Sequence, residues 1–221
     1  MTREILTRIY ELLYDAFGPQ NWWPSETSFE VIVGAILTQN TNWANVEKAI
    51  ANLKSADCLN PQVLRHIDPA RLAEFIRPAG YYNLKSRRLK NFVDWLFDDY
   101  EGDLDNLQSV DTNRLRTELL SIKGVGRETA DSILLYALDR PVFVVDAYTA
   151  RVTIRHGLIE RDAGYEQLRE LFESNLPQEI QLFNEYHALL VRAGKQFCKR
   201  RARCPGCPLE ELPHSLEIEE F

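Results

Sequence analysis

The chain has 221 residues, 45% of them hydrophobic, with 26 basic side chains against 33 acidic ones for a net charge of −7. This composition supports one large domain or two small ones around a sizeable core and excludes general disorder, while ten Gly and ten Pro exclude a collagen-like or low-complexity chain. The acidic balance excludes a protein coated in positive charge but permits a local basic groove, because a polyanion responds to local potential as well as net charge.

Helical periodicity begins at once, with Ile5, Ile9, Leu12 and Ala16 recurring at helical spacing. Met1-Thr-Arg-Glu4 lacks the apolar core of a secretory signal, so the cytoplasm is the expected compartment. Thr27 followed by Glu30 is a capping-box pattern, and the apolar run Val31 to Leu37 after it is too short to span a bilayer. Asn60-Pro61 and Asp68-Pro69 each set a capping side chain before a proline at the first helical position, and Asp111 is a further cap leading to Leu115, Leu119 and Leu120. A helix is predicted from about Arg127 to Leu138. Val142 to Val145 is apolar but too short for a sheet, so an extended connector is expected before Asp146 caps a helix ending near Gly157. Helices joined by short turns, without repeats or a disordered linker, give an all-α fold class.

The stretch Leu120-Ser-Ile-Lys-Gly-Val-Gly126-Arg-Glu-Thr-Ala130 ends one helix and starts another across two glycines. Gly124 and Gly126 allow a tight turn, and the backbone N–H groups there and at the next helix start can point at an anion such as a phosphate. Asp146 follows about twenty residues later, in Val144-Val-Asp-Ala-Tyr-Thr-Ala-Arg-Val152. Together these segments resemble the endonuclease III-like helix-hairpin-helix (HhH-GPD) superfamily of DNA glycosylases, and the resemblance extends from Phe29 to Cys207. It implies a two-lobed fold: residues 24–132 as a helical bundle carrying the hairpin, and residues 1–23 with 133–221 as a second helical lobe. It also implies double-stranded DNA with damaged bases as partner, bound by a monomer without membrane contact, and attachment to the nucleoid through that DNA.

In that superfamily the aspartate lies at a helix start beside the flipped nucleotide, and its carboxylate stabilises the developing oxocarbenium sugar. Asp146 takes that role by resemblance. Bifunctional members carry a lysine after the hairpin that attacks the sugar and forms a Schiff base. Here Glu128 stands at that position, and a carboxylate cannot form an imine. A monofunctional glycosylase without strong strand-cleaving activity is therefore expected, although Lys123 and Arg127 are nearby in sequence.

Trp22-Trp23-Pro24, Leu37-Thr-Gln-Asn-Thr-Asn-Trp43 and Arg77-Pro-Ala-Gly-Tyr-Tyr-Asn-Leu-Lys85 resemble the 3-methyladenine branch of the superfamily. The resemblance makes Trp22, Trp23 and Trp43 candidates for the base pocket, where electron-rich indoles would stack on a cationic alkylated purine. Core packing is the alternative for each, and Trp95 is expected to be core. Gln39 matches the position that fills the gap left by the flipped nucleotide, and Tyr81 matches a wedge that is usually aliphatic; the alternatives are a loop hydrogen bond and simple packing.

Four cysteines are too few for a disulfide scaffold in a chain of this length, and three of them, Cys198, Cys204 and Cys207, crowd together. The resemblance implies a 4Fe-4S loop there, with two departures: the first gap is five residues rather than six, and Pro213 replaces the fourth cysteine. His214 is the nearest candidate fourth ligand; a Cys₃His zinc site and a metal-free loop are the alternatives. Cys58 reads as a buried thiol, and no organic cofactor is called for. Lys195, Lys199, Arg200, Arg201 and Arg203 in the same loop are candidate phosphate contacts, with a solvated charged face as the alternative. Three rivals to alkylpurine excision stay open: the same fold acting on mismatched uracil or thymine or on oxidised pyrimidines, a non-catalytic DNA-binding sensor of damage or redox state, and an abasic-site lyase that uses another amine.

Overall fold

The structure is a computed structural model, and it describes residues 1–215. In chain order the helices are α1 (Thr2–Phe17), α2 (Ser28–Thr38), α3 (Trp43–Ser55), α4 (Pro61–His66), α5 (Pro69–Phe75), α6 (Tyr82–Tyr100), α7 (Thr112–Ser121), α8 (Arg127–Ser132), α9 (Ala147–Arg155), α10 (Tyr165–Glu173) and α11 (Ile180–Gln196). The described residues contain no strand, and Val142 to Val145 is the extended connector expected of it. No helix among them is long and apolar enough to cross a membrane.

The chain divides into two compact units, one of Ser25–Arg140 and one of Met1–Pro24 with the chain from Pro141 on. The expected boundary at residue 132 falls too early. The backbone continues from α8 into a π-helical segment, Ile133–Ala137, whose Ile133, Leu134 and Leu135 are buried and which packs on α2. Apolar burial thus carries the segment into the first unit.

Within Ser25–Arg140, α2 is the central element. Phe29 to Leu37 are all buried, with α3, α6, α8 and the π-helical segment packed around them. A helix apolar on every side can sit only there. Thr27 caps α2 by accepting from the Glu30 N–H at 3.1 Å. The expected capping box is only half formed: the Glu30 carboxylate accepts from the Glu26 N–H at 3.0 Å and pairs with Lys54 at 3.0 Å instead of returning to Thr27. Asn60, Asp68 and Asp111 cap α4, α5 and α7 through their side chains, each satisfying an otherwise orphaned amide of the first turn. Cys58 is buried and its thiol donates to the Ala56 carbonyl at 3.1 Å. Trp95 is half-buried, with its ring against Phe92 and Tyr100.

The other unit centres on α11, which packs on α9 and α1. The buried face of α1 is Leu6, Ile9 and Leu13, so the stripe is rotated from the expected Ile5, Ile9, Leu12, Ala16 register. Both rows fit helical spacing, and partner helices choose between them. Beneath lies an aromatic cluster: Phe143 stacks on Phe172 at 3.8 Å, and Phe183 and Tyr186 meet Phe143 edge-on. The buried Tyr186 hydroxyl donates to the Leu6 carbonyl at 2.8 Å, tying α1 to α11.

Candidate active site and nucleic-acid interface

Asp146 is the N-cap of α9, as the sequence predicts. Its Oδ1 accepts from the Tyr148 N–H at 2.9 Å and the Thr149 N–H at 2.7 Å. Two amide donors and the positive end of a helix fix the carboxylate in one orientation. Oδ2 faces His187 Nε2 at 3.9 Å, and the carboxylate side chain is only 12% exposed. Burial holds the His187 imidazole below the usual histidine range; Asp146 pulls the other way, and the Lys195 charge adds to the lowering. His187 therefore sits beside Asp146 as a neutral ring at neutral pH. No sequence signal marked it, because it reads as one more residue of α11.

Close helix packing sets this geometry. A Cβ on Gly194 of α11 would overlap the Tyr148 ring of α9, so only glycine lets the two helices approach with Asp146 at the α9 start. The Gly18–Pro24 segment is held to α11 as well. Glu185 accepts from the Gln20 N–H at 2.7 Å, and Arg192 donates to the Phe17 carbonyl at 3.1 Å. This places Trp22 and Trp23, both half-buried, in an edge-on pair with centroids 5.5 Å apart. Lys195 Nζ lies 5.9 Å from the centre of the Trp22 ring. Asp146, His187, Lys195 and the Trp22–Trp23 pair thus belong to one unit.

Trp43, Gln39, Tyr81, Glu128 and the hairpin belong to the other. Trp43 opens α3, half-buried, with its indole N–H donated to Glu47 Oε1 at 2.7 Å. Tyr81 is 69% exposed and adopts a left-handed backbone (φ 44°) just before α6. That conformation costs a bulky residue about 1–2 kcal/mol, and the ring gains no burial in return. Gln39 is not a free plug. Its Nε2 donates to the Gly124 carbonyl at 3.1 Å and to Thr129 Oγ1 at 3.0 Å, while Arg88 donates to its Oε1.

The hairpin joins α7 and α8. Gly124 has φ 103°, and a Cβ there would run into Arg88, so glycine is required. Gly126 differs from expectation. Its φ of −96° suits any residue and a Cβ there would meet nothing, so the turn does not need glycine at that point. An open approach to the α8 amides is what the missing side chain provides. Arg127 and Glu128 are exposed in the first turn of α8. Arg116 of α7 holds Asp131 of α8 with two bonds, at 2.6 and 3.0 Å, and Asp131 is fully buried.

Lys85 is a further buried charge, one to which the sequence pattern alone assigns no role. Its ammonium donates to the Leu37 carbonyl at 2.8 Å and the Ala79 carbonyl at 2.7 Å. Burial, and secondarily the Arg88 charge, pulls its pKa down to about 8.

In the C-terminal loop Cys198, Cys204, Cys207 and His214 line one small cavity with His156, Phe197 and Leu209. Buried Arg155 donates to Cys198 Sγ at 3.1 Å and to the carbonyls of Lys199 and Arg200, both at 2.7 Å. Burial, with the neighbouring sulfurs, pushes the Cys204 and Cys207 thiols up. Among the described residues no three His, Cys, Asp or Glu side chains are grouped as they would be around a metal ion. Three cysteine sulfurs line one cavity, with the Arg155 guanidinium bonded to Cys198 Sγ, and thiolates are the ligands an iron–sulfur cluster takes. Pro213 offers no side-chain ligand; its carbonyl bonds His156 Nδ1 at 2.9 Å. His214 Nδ1 bonds the Leu212 carbonyl at 2.7 Å, leaving its Nε2 side for a ligand role. Lys195, Lys199, Arg200, Arg201 and Arg203 are all exposed.

An all-α pair of units with a glycine hairpin between buried-pair helices and an N-cap aspartate defines a helix-hairpin-helix DNA-repair fold. The profile of the HhH-GPD superfamily of base excision DNA repair proteins matches residues 33–178, and the chain belongs to that superfamily as a DNA glycosylase. A Methanocaldococcus jannaschii protein named as a DNA repair glycosylase is 52% identical over 211 residues, 95% of this chain and 96% of its own. Endonuclease III of Sulfolobus acidocaldarius is 30% identical over 83% of this chain and 80% of its own. The crystal structure of the Helicobacter pylori 3-methyladenine DNA glycosylase bound to 1,N6-ethenoadenine superposes with a TM-score of 0.75 at 32% identity, covering 88% of this chain and 97% of that one.

Proposed function

We propose that this DNA glycosylase is monofunctional and excises 3-methyladenine or a related alkylated purine. The observation that carries the reading is Asp146, a nearly buried carboxylate fixed through one oxygen by two amides, with a neutral imidazole beside the other. An anion fixed in one orientation is what an oxocarbenium-like sugar needs. The N-glycosidic bond breaks with its electrons leaving on the purine. Water then bonds to the anomeric carbon and loses its proton, leaving an abasic site.

An alkylated purine is a good leaving group, so one carboxylate and aromatic stacking suffice. Trp22 and Trp23, on the unit that carries Asp146, line the base pocket in this reading. Lys195 already sits over Trp22, so a cationic base would use the other indole faces. Gly124, Gly126 and Arg127 bind backbone phosphate, as do Lys195, Lys199, Arg200, Arg201 and Arg203. Tyr81 and Gln39 fill the opened step, Gln39 by exchanging its hairpin bonds for the duplex. Glu128 supplies no amine, so strong strand cleavage is not expected. Cys198, Cys204 and Cys207, with His214 as fourth ligand, would hold an iron–sulfur cluster, which would cross-link the loop. The protein acts as a monomer, in the cytoplasm on nucleoid DNA. Similarity to an endonuclease III favours a second reading, excision of oxidised or mismatched pyrimidines.

The test is incubation of anaerobically purified protein with methylated duplex DNA. Free 3-methyladenine, strand breaks only after alkali and an inactive Asp146→Asn variant are expected. Pyrimidine release instead, or breaks before alkali, would sink the reading. The same preparation is expected to contain iron and absorb at about 400 nm; a colourless, iron-free protein would remove the cluster.

A further inference from the structure

Three polar side chains of α6 run in a stripe at three-residue intervals, Lys85, Arg88 and Asn91. Lys85 and Arg88 both reach the end of α2 and the corner after it, Lys85 also reaches the turn before α6, and Asn91 reaches the hairpin. Lys85 holds the carbonyls of Leu37 and Ala79 at 2.8 and 2.7 Å. Arg88 donates to the side chain of Gln39. Asn91 donates to the Lys123 carbonyl at 2.7 Å, at the start of the hairpin turn. Gln39 then closes on Gly124 and Thr129, so its corner and the hairpin are also joined directly.

The anchored carbonyls occupy telling positions. Leu37 lies two residues before Gln39, and Ala79 two residues before Tyr81. Lys85 is 1% exposed, so it touches no DNA itself. Burying an ammonium among apolar neighbours costs more than an apolar side chain of the same volume would, even when it is hydrogen-bonded. What the charge adds is two directed bonds to two separate segments, the end of α2 and the short turn Arg77–Ala79, which an apolar side chain cannot make.

We propose that Lys85, with Arg88 and Asn91, is a positioning strip that holds Gln39, Tyr81 and the hairpin in the one register a flipped nucleotide requires. This rests on the reading of Gln39 and Tyr81 as the groups that fill the opened step. The hairpin grips one strand's phosphates while the two side chains enter the stack. An error of an ångström between those elements is enough to lose about a hundredfold in a positioned reaction.

The experiment uses the full chain and a duplex carrying 2-aminopurine beside an abasic analogue. It reads three quantities: affinity for undamaged duplex, the fluorescence rise on unstacking, and the thermal midpoint. Lys85→Met is expected to fold and to bind undamaged duplex within about twofold of the parent, while unstacking falls by about tenfold or more. Joined to Tyr81→Ala, it is expected to be no worse than Lys85→Met alone, because a wedge out of register has little left to lose. If Lys85→Met does not fold, Arg88→Met joined to Gln39→Ala carries the same cycle. Strip variants that lose stability, affinity and unstacking in parallel, with additive doubles, would overturn the proposal and leave a structural lysine. If Gln39→Ala and Tyr81→Ala reduce unstacking but the strip variants do not, the strip alone fails. If Gln39→Ala and Tyr81→Ala leave unstacking unchanged, the plug reading fails and the strip with it.

Discussion

His187 and Asp146 face each other in a nearly buried setting, and the protonation of His187 is linked to folding. Burial holds the His187 ring below its ordinary range, Asp146 opposes this, and Lys195 adds to it. In the unfolded chain the ring takes up a proton near the ordinary histidine value, before it does so in the fold. The neutral ring's stability is thus fully present above that value and is lost as pH falls below it. Acidification from about pH 7.5 to 5 is expected to cost the parent more stability than His187→Gln, by at most about 1.4 kcal/mol per pH unit. Urea unfolding at the two pH values measures this, and identical losses would refute it. Asp146 was legible because an aspartate after an apolar connector and before a helical pattern has one local explanation, a cap. His187 was not, since its place beside Asp146 arises from α11 packing on α9 far along the chain.

The hairpin's shape depends on a buried pair between its two helices. Arg116 and Asp131 share two bonds, and Asp131 is fully buried. Removing Asp131 takes away a buried carboxylate that Arg116 holds with two bonds. Asp131→Ala is expected to destabilise the protein by about 3–5 kcal/mol, read from the urea midpoint; a loss under about 1 kcal/mol would mean that solvent reaches Arg116 freely. At this scale the sequence was informative about ends and poor about faces. Asn60, Asp68, Asp111 and Asp146 all cap where their side chains and the following residues say they should. The buried stripe of α1 and the polar stripe of α6 were not legible, because a face is chosen by the helix it meets. The same holds for Glu30, whose carboxylate serves Glu26 and Lys54 rather than closing the box.

The whole molecule carries −7 yet belongs to a family of DNA repair enzymes, so affinity for a polyanion must come from local charge. Neutralising Lys199, Arg200, Arg201 and Arg203 together is expected to weaken duplex binding and to reduce the salt slope by about 0.9 for each phosphate that is no longer neutralised. An unchanged slope would make the basic loop a solvated face. The all-α class was legible from periodicity and turn residues. The boundary between units was not, because buried apolar side chains rather than a linker carry the chain on to Arg140. The burial of α2 has a consequence in time as well as in space. With Phe29 to Leu37 all covered, its amide hydrogens have no path to solvent short of dismantling the bundle. Their isotope exchange is therefore a clock for the lifetime of the unit that holds the hairpin, whereas the exposed Tyr81 corner can open and close many times within one tick.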